Sequence, residues 1–212
     1  MTAAAAAFNR WAGPSIVRGL RAEVTGASNV PPTGGVLLAA NHLSFLDHLL
    51  LSAAAPRPLR FLGKTELTKG IGGRINLAFG MVPIERGTAD LATLDVVTDL
   101  LTEGHAVAIF PEGTRSPTGE LFRFRSGLAR VAASAQVPVV PVGLVGTDAV
   151  WPRGERPHVR RPRKGLLKVV YGTPLDPPQA DGRSRREFTE ALHAAVAELT
   201  GQAPADRFAA IT

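Results

Sequence analysis

Cysteine is absent from the 212 residues, which removes a thiol nucleophile, cysteine-bound metal and disulfides from consideration and fits a reducing interior. Aromatic residues make up only 6% of the chain, and no RNA- or DNA-reading motif accompanies its basic residues, so nucleic acid ranks last among partners. Long apolar runs are also missing. The uncharged stretches 24–40 and 131–147 are broken by proline, glycine and polar residues, the pattern of a folded domain rather than of a membrane span. The start of the chain has no basic region leading into an unbroken apolar core, which argues against a signal peptide. No Gly-x-Ser-x-Gly elbow offers a serine nucleophile, and His48, His105, His158 and His193 form no metal-ligand pattern with His42. These four read as structural or exposed histidines.

What is present is positive charge and a regular alternation of short elements. A net charge of +6 and a pI near 10.7 favour an anionic partner. The densest basic run, 153–164, is either a solvated loop or a contact for anionic lipid headgroups, an acidic carrier protein or the phosphates of coenzyme A. Segments at 21–24, 36–40, 59–62, 81–84, 106–110, 137–145 and 166–171 read as strands between helical patterns. Together they predict one α/β domain, a mixed, mostly parallel sheet of about seven strands flanked by helices. One helical stripe, Leu91, Leu94, Val97 and Leu101, follows a cap signal at Thr88 and ends at Gly104. A second, Phe188, Leu192, Val196 and Leu199, is entered by a capping box from Ser184 to Glu187 and closes before Gly201. The Ala-rich start and residues 202–212 read as frayed ends, and Gly70-Ile-Gly-Gly73 as a flexible turn.

Two blocks carry chemistry. In Asn41-His-Leu-Ser-Phe-Leu-Asp47, a strand runs into a helix whose N-cap is Ser44 and whose N3 residue is Asp47. An N3 carboxylate folds back toward the helix start, which brings Asp47 within reach of His42. A carboxylate there fixes the imidazole tautomer and stabilises the imidazolium formed when the ring accepts a proton. The second block, Phe110-Pro-Glu-Gly-Thr-Arg-Ser116, follows a buried strand and emerges at its C-terminal end, where open α/β sheets place ligand sites. Glu112 and Arg115 are costly to bury without a partner or a task; the plain alternative is that they pair with each other at a turn.

Together the blocks resemble the glycerolphosphate acyltransferase family, which includes 1-acylglycerol-3-phosphate acyltransferase. Asn41, His42, Ser44 and Asp47 fill every fixed position of its Asn-His-x-Ser-x-x-Asp motif, and residues 110–116 match its Phe-Pro-Glu-Gly-Thr-Arg-Ser motif in full. Gly80-Met-Val-Pro-Ile-Glu-Arg86 is similar to the family's Gly-x-x-x-Ile-Asp-Arg block, with Glu85 where the family has aspartate. Lys64-Thr-Glu-Leu67, Phe124-Arg-Ser-Gly127 and Val137-Pro-Val-Val-Pro-Val142 resemble its remaining blocks.

The resemblance implies acyl transfer from a thioester, acyl-CoA or acyl carrier protein, to a hydroxyl of 1-acylglycerol-3-phosphate, with no cofactor and no metal. His42 serves as the base and Asp47 as its orienter, and attack on the thioester is direct because the chain has no cysteine or serine elbow. Backbone amides around Glu112, Gly113 and Thr114 are candidates for stabilising the developing oxyanion. Arg86, then Lys64 and Arg115, are candidates for an acceptor phosphate, and Glu112 shapes the acceptor site by ordering Arg115.

Three rival readings remain: the same chemistry on another lysophospholipid or glycerol 3-phosphate, a lipid hydrolase, and a basic membrane-binding module with an idle pair. Residues 21–212 form the expected acyltransferase domain. Residues 1–20 carry Phe8, Trp11, Ile16, Val17 and Leu20 on either side of Gly13-Pro14, with Arg10, Arg18 and Arg21 nearby. They read as two short amphipathic pieces lying at an anionic membrane surface, or as a helix packed on the domain. The expected location is peripheral, on the cytoplasmic face of the cell membrane, without a transmembrane helix.

Overall fold

Short apolar runs alternate with helical patterns along the chain, and each run becomes a strand in a computed structural model that describes residues 3–78, 80–84, 90–158 and 161–210. The strands are β1 (Glu23–Thr25), β2 (Val36–Ala40), β3 (Leu59–Lys64), β4 (Met81–Ile84), β5 (Ala106–Ile109), β6 (Val139–Val145) and β7 (Lys168–Tyr171). They form one sheet in the order β1-β7-β6-β2-β5-β3-β4. Only the β6–β7 pairing is antiparallel, as expected for a mixed, mostly parallel sheet.

The helices are α1 (Ala3–Ala7), α2 (Gly13–Leu20), α3 (Leu46–Ala54), α4 (Gly70–Ala78), α5 (Asp90–Thr102), α6 (Gly127–Ala135), α7 (Thr147–Val150) and α8 (Gly182–Thr200). The sheet separates two apolar layers, and β2 shows why. Its five residues are all buried, and side chains alternate between the faces of a strand. Val36, Leu38 and Ala40 pack with Leu46, Leu50 and Leu51 of α3, whereas Leu37 and Ala39 pack with Val97 and Leu101 of α5, Leu128 of α6 and Leu192 of α8. A strand covered on both sides reads as a continuous apolar run.

The register of β2 and β5 positions the site. Ala39 pairs with Ile109 in a parallel ladder, so both strands reach their C-terminal ends side by side. The blocks 41–47 and 110–116 therefore leave the sheet as neighbours.

Several expectations need correction. No break occurs at Gly13-Pro14: α1, a π-helical turn (Phe8–Ala12) and α2 follow one another without interruption, with the proline in the first turn of α2. The Ala-rich start is helical rather than frayed, and Ala5 is buried. Gly70-Ile-Gly-Gly73 opens α4 instead of forming a flexible turn. A Cβ on Gly73 would lie 1.9 Å from the backbone of Thr68, so glycine permits the tight entry from the preceding 3-10 turn.

Helix α8 begins ahead of the expected capping box. Asp181 is its N-cap, accepting the Ser184 N–H at 2.9 Å. Its C-terminal stop at Gly201 is as expected. Helix α5 likewise ends at the turn preceding Gly104, whose φ of +83° suits glycine; Thr88 lies outside the described residues. The tail after Gly201 is docked rather than frayed: Leu121 bridges Pro204, and Ala205 and Ala209 are buried against Phe122.

Candidate active site

The corner between β2 and α3 brings His42 onto Asp47. His42 Nδ1 lies 2.8 Å from Asp47 Oδ2, and the same oxygen accepts the backbone N–H groups of Leu43 at 2.7 Å and Ser44 at 2.8 Å. An ionised carboxylate only accepts, so the imidazole carries its proton on Nδ1 and leaves Nε2 free. The Asp47 side chain is fully buried while that of His42 remains 12% exposed, so the imidazole reaches the surface and the carboxylate does not. The N-cap of α3 is Phe45 rather than Ser44 and makes no side-chain cap bond; Ser44 Oγ instead accepts the Leu46 N–H at 3.1 Å and donates to the Trp151 carbonyl at 2.7 Å.

The second block clamps the first. Glu112 is fully buried; its Oε1 accepts the backbone N–H of His42 at 2.8 Å and its Oε2 that of Phe122 at 3.0 Å. The Ser116 N–H donates to the His42 carbonyl at 2.7 Å. Both backbone polar groups of the base are thus held from the neighbouring strand's loop. Phe110 stacks on the His42 ring with centroids 4.1 Å apart and planes 22° apart. Burial pushes the Glu112 carboxyl up to about 7, against the pull of its two backbone donors and with a contribution from the Asp47 charge. Asn41, also fully buried, exchanges two hydrogen bonds with Leu144 of β6 and donates to Gln202 Oε1 at 2.8 Å.

Beside the dyad lies an apolar cavity of about 210 Å³, lined among others by Phe8, Phe45, Phe61, Met81, Trp151 and His48. The His48 ring meets the edge of His42 at 5.2 Å, nearly perpendicular to it. Burial, helped by the neighbouring His42 and Arg115 and opposed by Asp47, lowers the His48 pKa to about 4. His48 is therefore neutral at physiological pH. Among the described residues no cluster of histidine and carboxylate side chains could hold a metal ion.

A buried carboxylate–imidazole pair with its backbone fixed by a Pro-Glu-Gly-Thr loop is the arrangement to test against known proteins. The family model for acyltransferases matches residues 21–145, more than half of the chain, and spans both blocks. The chain belongs to the acyltransferase family. It is 36% identical over 205 residues to a 1-acyl-sn-glycerol-3-phosphate acyltransferase of Chlamydomonas reinhardtii, a match covering 92% of this chain and 59% of the alga's protein. A probable 1-acyl-sn-glycerol-3-phosphate acyltransferase of Mycoplasma pneumoniae is 32% identical over 171 residues, covering 76% of this chain and 64% of that one. The chain thus spans less than two thirds of the length of these relatives. In structure it resembles the 1-acyl-sn-glycerophosphate acyltransferase of Thermotoga maritima, with a TM-score of 0.69 and 25% identity over 90% of this chain and 80% of that one.

Within this acyltransferase fold, the residues singled out from sequence fare differently. His42, Asp47 and the 110–116 loop come together. Glu112 does not order Arg115: among the described residues the two form no ion pair, and both Glu112 oxygens are occupied by backbone donors. Its place is that of a strut behind the site, not of a group facing substrate. Gly113 adopts φ +79°, as a tight turn requires, but its N–H closes that turn on the Phe110 carbonyl at 3.0 Å and is not free for an oxyanion. Thr114 and Arg115 are partly exposed, and the Arg115 charge is felt at His48. Lys64 ends β3, its side chain outside what is described; Arg86 lies outside the described residues. Sequence reasoning passed over His48 and Phe110 as functional neighbours. Phe110 was visible only as a motif letter, and His48 only as a helix position one residue after Asp47.

Proposed function

We propose that the chain transfers a fatty acyl group from a thioester donor, acyl-CoA or acyl carrier protein, to the free hydroxyl of 1-acylglycerol-3-phosphate, giving phosphatidate. The observation that carries this reading is the His42–Asp47 contact at 2.8 Å, with the imidazole edge exposed beside an apolar cavity. His42 Nε2 takes the hydroxyl proton as that oxygen attacks the thioester carbonyl, and Asp47 balances the imidazolium. The proton then passes to the departing thiolate, with no acyl-enzyme in between. The cavity suits an acyl chain, because pockets lined by apolar side chains with few polar groups hold apolar ligands in a fixed orientation. Arg115, Arg86 and Lys64 are the proposed contacts for the acceptor phosphate.

The same reading places the enzyme peripherally on an anionic membrane surface, at its cytoplasmic face. No helix among the described residues is long and apolar enough to cross a membrane. Trp11 is 70% exposed on the N-terminal helical segment, and Phe45 and Leu49, which line the cavity, are 47% and 40% exposed. This exposed apolar surface supports uptake of a lipid substrate directly from the bilayer interface.

The test is incubation with acyl-CoA and with acyl carrier protein thioester, with and without 1-acylglycerol-3-phosphate, other lysophospholipids and glycerol 3-phosphate. Both free thiol and lipid product are followed. Acceptor-dependent thiol release with matching phosphatidate is expected, and His42→Ala lowers it by about 10²-fold or more. Thiol release that ignores the acceptor would instead establish a hydrolase, and no turnover with any pair an idle binding module.

A further inference from the structure

His48 is a half-buried polar ring in apolar company. Phe110 lies 4.6 Å from it, Phe61 5.6 Å and Phe45 6.3 Å, all centroid to centroid, and among the described residues its ring nitrogens have no hydrogen-bond partner. A neutral imidazole carries one N–H donor and one acceptor, so the His48 donor is uncommitted within the fold and available to a ligand in the cavity it lines. The ring stands where two requirements of acyl transfer meet: it lines the cavity suited to an acyl chain, and it meets the edge of the base at 5.2 Å. A carbonyl joining an acyl chain in that cavity to a thiol outside it would come beside both rings.

We infer that the His48 ring N–H donates a hydrogen bond to the thioester carbonyl oxygen and holds the oxyanion formed during transfer. The inference rests on the acyl-transfer reading and adds a catalytic residue to it. The acceptor oxygen forms a bond to the carbonyl carbon, its proton goes to His42 Nε2, and the carbonyl π pair moves to the oxygen held by His48. Collapse re-forms the carbonyl and expels the thiolate, which takes the proton from His42. A neutral donor suits this task. His42 becomes an imidazolium in the same step, and a second cation at this separation would oppose that charge, whereas burial keeps His48 uncharged. The Gly113 amide, a backbone alternative, is already bonded within its own turn.

The test compares wild type with His48→Phe and His48→Leu, which lack a donor, and with His48→Gln, which restores one. Turnover of acyl-CoA with 1-acylglycerol-3-phosphate is measured alongside binding of a non-transferable thioether analogue of acyl-CoA, with His42→Ala as reference. The donor-free variants are expected to lose about 10²–10³ in kcat, the range for removal of one oxyanion donor, with KM and analogue affinity changed little. His48→Gln should recover about tenfold or more of that loss, because a positioned amide N–H is also a competent oxyanion donor. Full turnover in either donor-free variant overturns the assignment, as does a loss that Gln does not relieve or that tracks weakened analogue binding. If wild type transfers acyl groups and His42→Ala does not, such results remove only the role of His48. A wild type inactive with every pair removes the acyl-transfer reading and this inference with it.

Discussion

Glu112 holds the backbone N–H of His42 at 2.8 Å across a separation of 70 residues, so the His42 main chain is anchored by the neighbouring strand's loop while Asp47 contacts its ring. Removing that carboxylate should damage both fold and chemistry. Glu112→Ala leaves the buried N–H groups of His42 and Phe122 unpaired, at about 1–3 kcal/mol each, and lets the imidazole drift. Chemical denaturation should show a loss of about 2–6 kcal/mol from the two groups, and kcat should fall more than KM rises. A variant as stable and active as wild type would remove Glu112 from the strut role.

The same carboxyl gives stability a definite pH dependence. Its folded-state pKa is raised from 4.5 to about 7, so between those values the folded state binds more protons than the unfolded one. Its contribution therefore declines as pH rises through this window and is level above it, by up to about 3 kcal/mol. The opposite slope of His48, whose pKa is lowered from 6.5 to about 4, is common to both proteins in a comparison of wild type with Glu112→Gln. The stability difference between them, measured by denaturation at pH 5 and pH 8, should shift against wild type at the higher pH. A pH-independent difference would show that the buried group ionises normally.

Asp47→Asn separates charge from shape. One amide oxygen can still occupy the Oδ2 position, where Leu43, Ser44 and His42 converge, so the corner should survive. The imidazolium formed in the reaction, however, loses its counter-charge. A fall of about 10²–10⁴-fold in kcat with an unchanged thermal midpoint is expected, and turnover close to wild type would refute the dyad.

Gly63 borders the cavity, and a Cβ there would lie 2.2 Å from the Met81 thioether. A methionine side chain is flexible and yields, so Gly63→Ala should push it into the cavity and shorten the preferred acyl chain. Competition among acyl-CoAs of different length, read by mass spectrometry of the product, checks this. An unchanged product profile would mean that the chain binds elsewhere.

Trp11 projects into solvent, with Arg10 over its ring at 5.3 Å. Because Phe8 lines the cavity and Asn9 bonds the Ala55 carbonyl at 2.7 Å, deleting the N-terminal segment would disturb the site as well as any membrane contact. Trp11→Ser is the cleaner probe. Flotation with anionic vesicles should show about tenfold weaker binding, with activity on dispersed substrate retained; equal flotation would remove Trp11 from the contact.

The parts legible in the sequence are those set by local pattern. His42 and Asp47 are five positions apart at a strand-to-helix corner, so their meeting follows from the turn alone. The strands follow from apolar runs, because a sheet buried on both faces leaves no other pattern. Glu112 was misread because its partners are backbone groups at positions 42 and 122, and backbone partners leave no mark on residue identity. The docking of the tail through Gln202 onto Asn41, 161 residues away, was hidden for the same reason, since a polar segment after a helix looks equally like a frayed end. His48 gave a helical position but not what its ring would face.

The sheet order has a consequence for biogenesis. Glu23 of β1 pairs with Lys168 of β7, so this edge cannot form during translation until residue 168 has left the ribosome, and such non-local parallel pairing is slow. The His42–Asp47 corner can take shape early, yet its clamp at Glu112 and its tie to Gln202 are synthesised later. A nascent chain stalled before α8 would therefore hold the His42–Asp47 corner and its Glu112 clamp but lack the tie from Gln202 to Asn41.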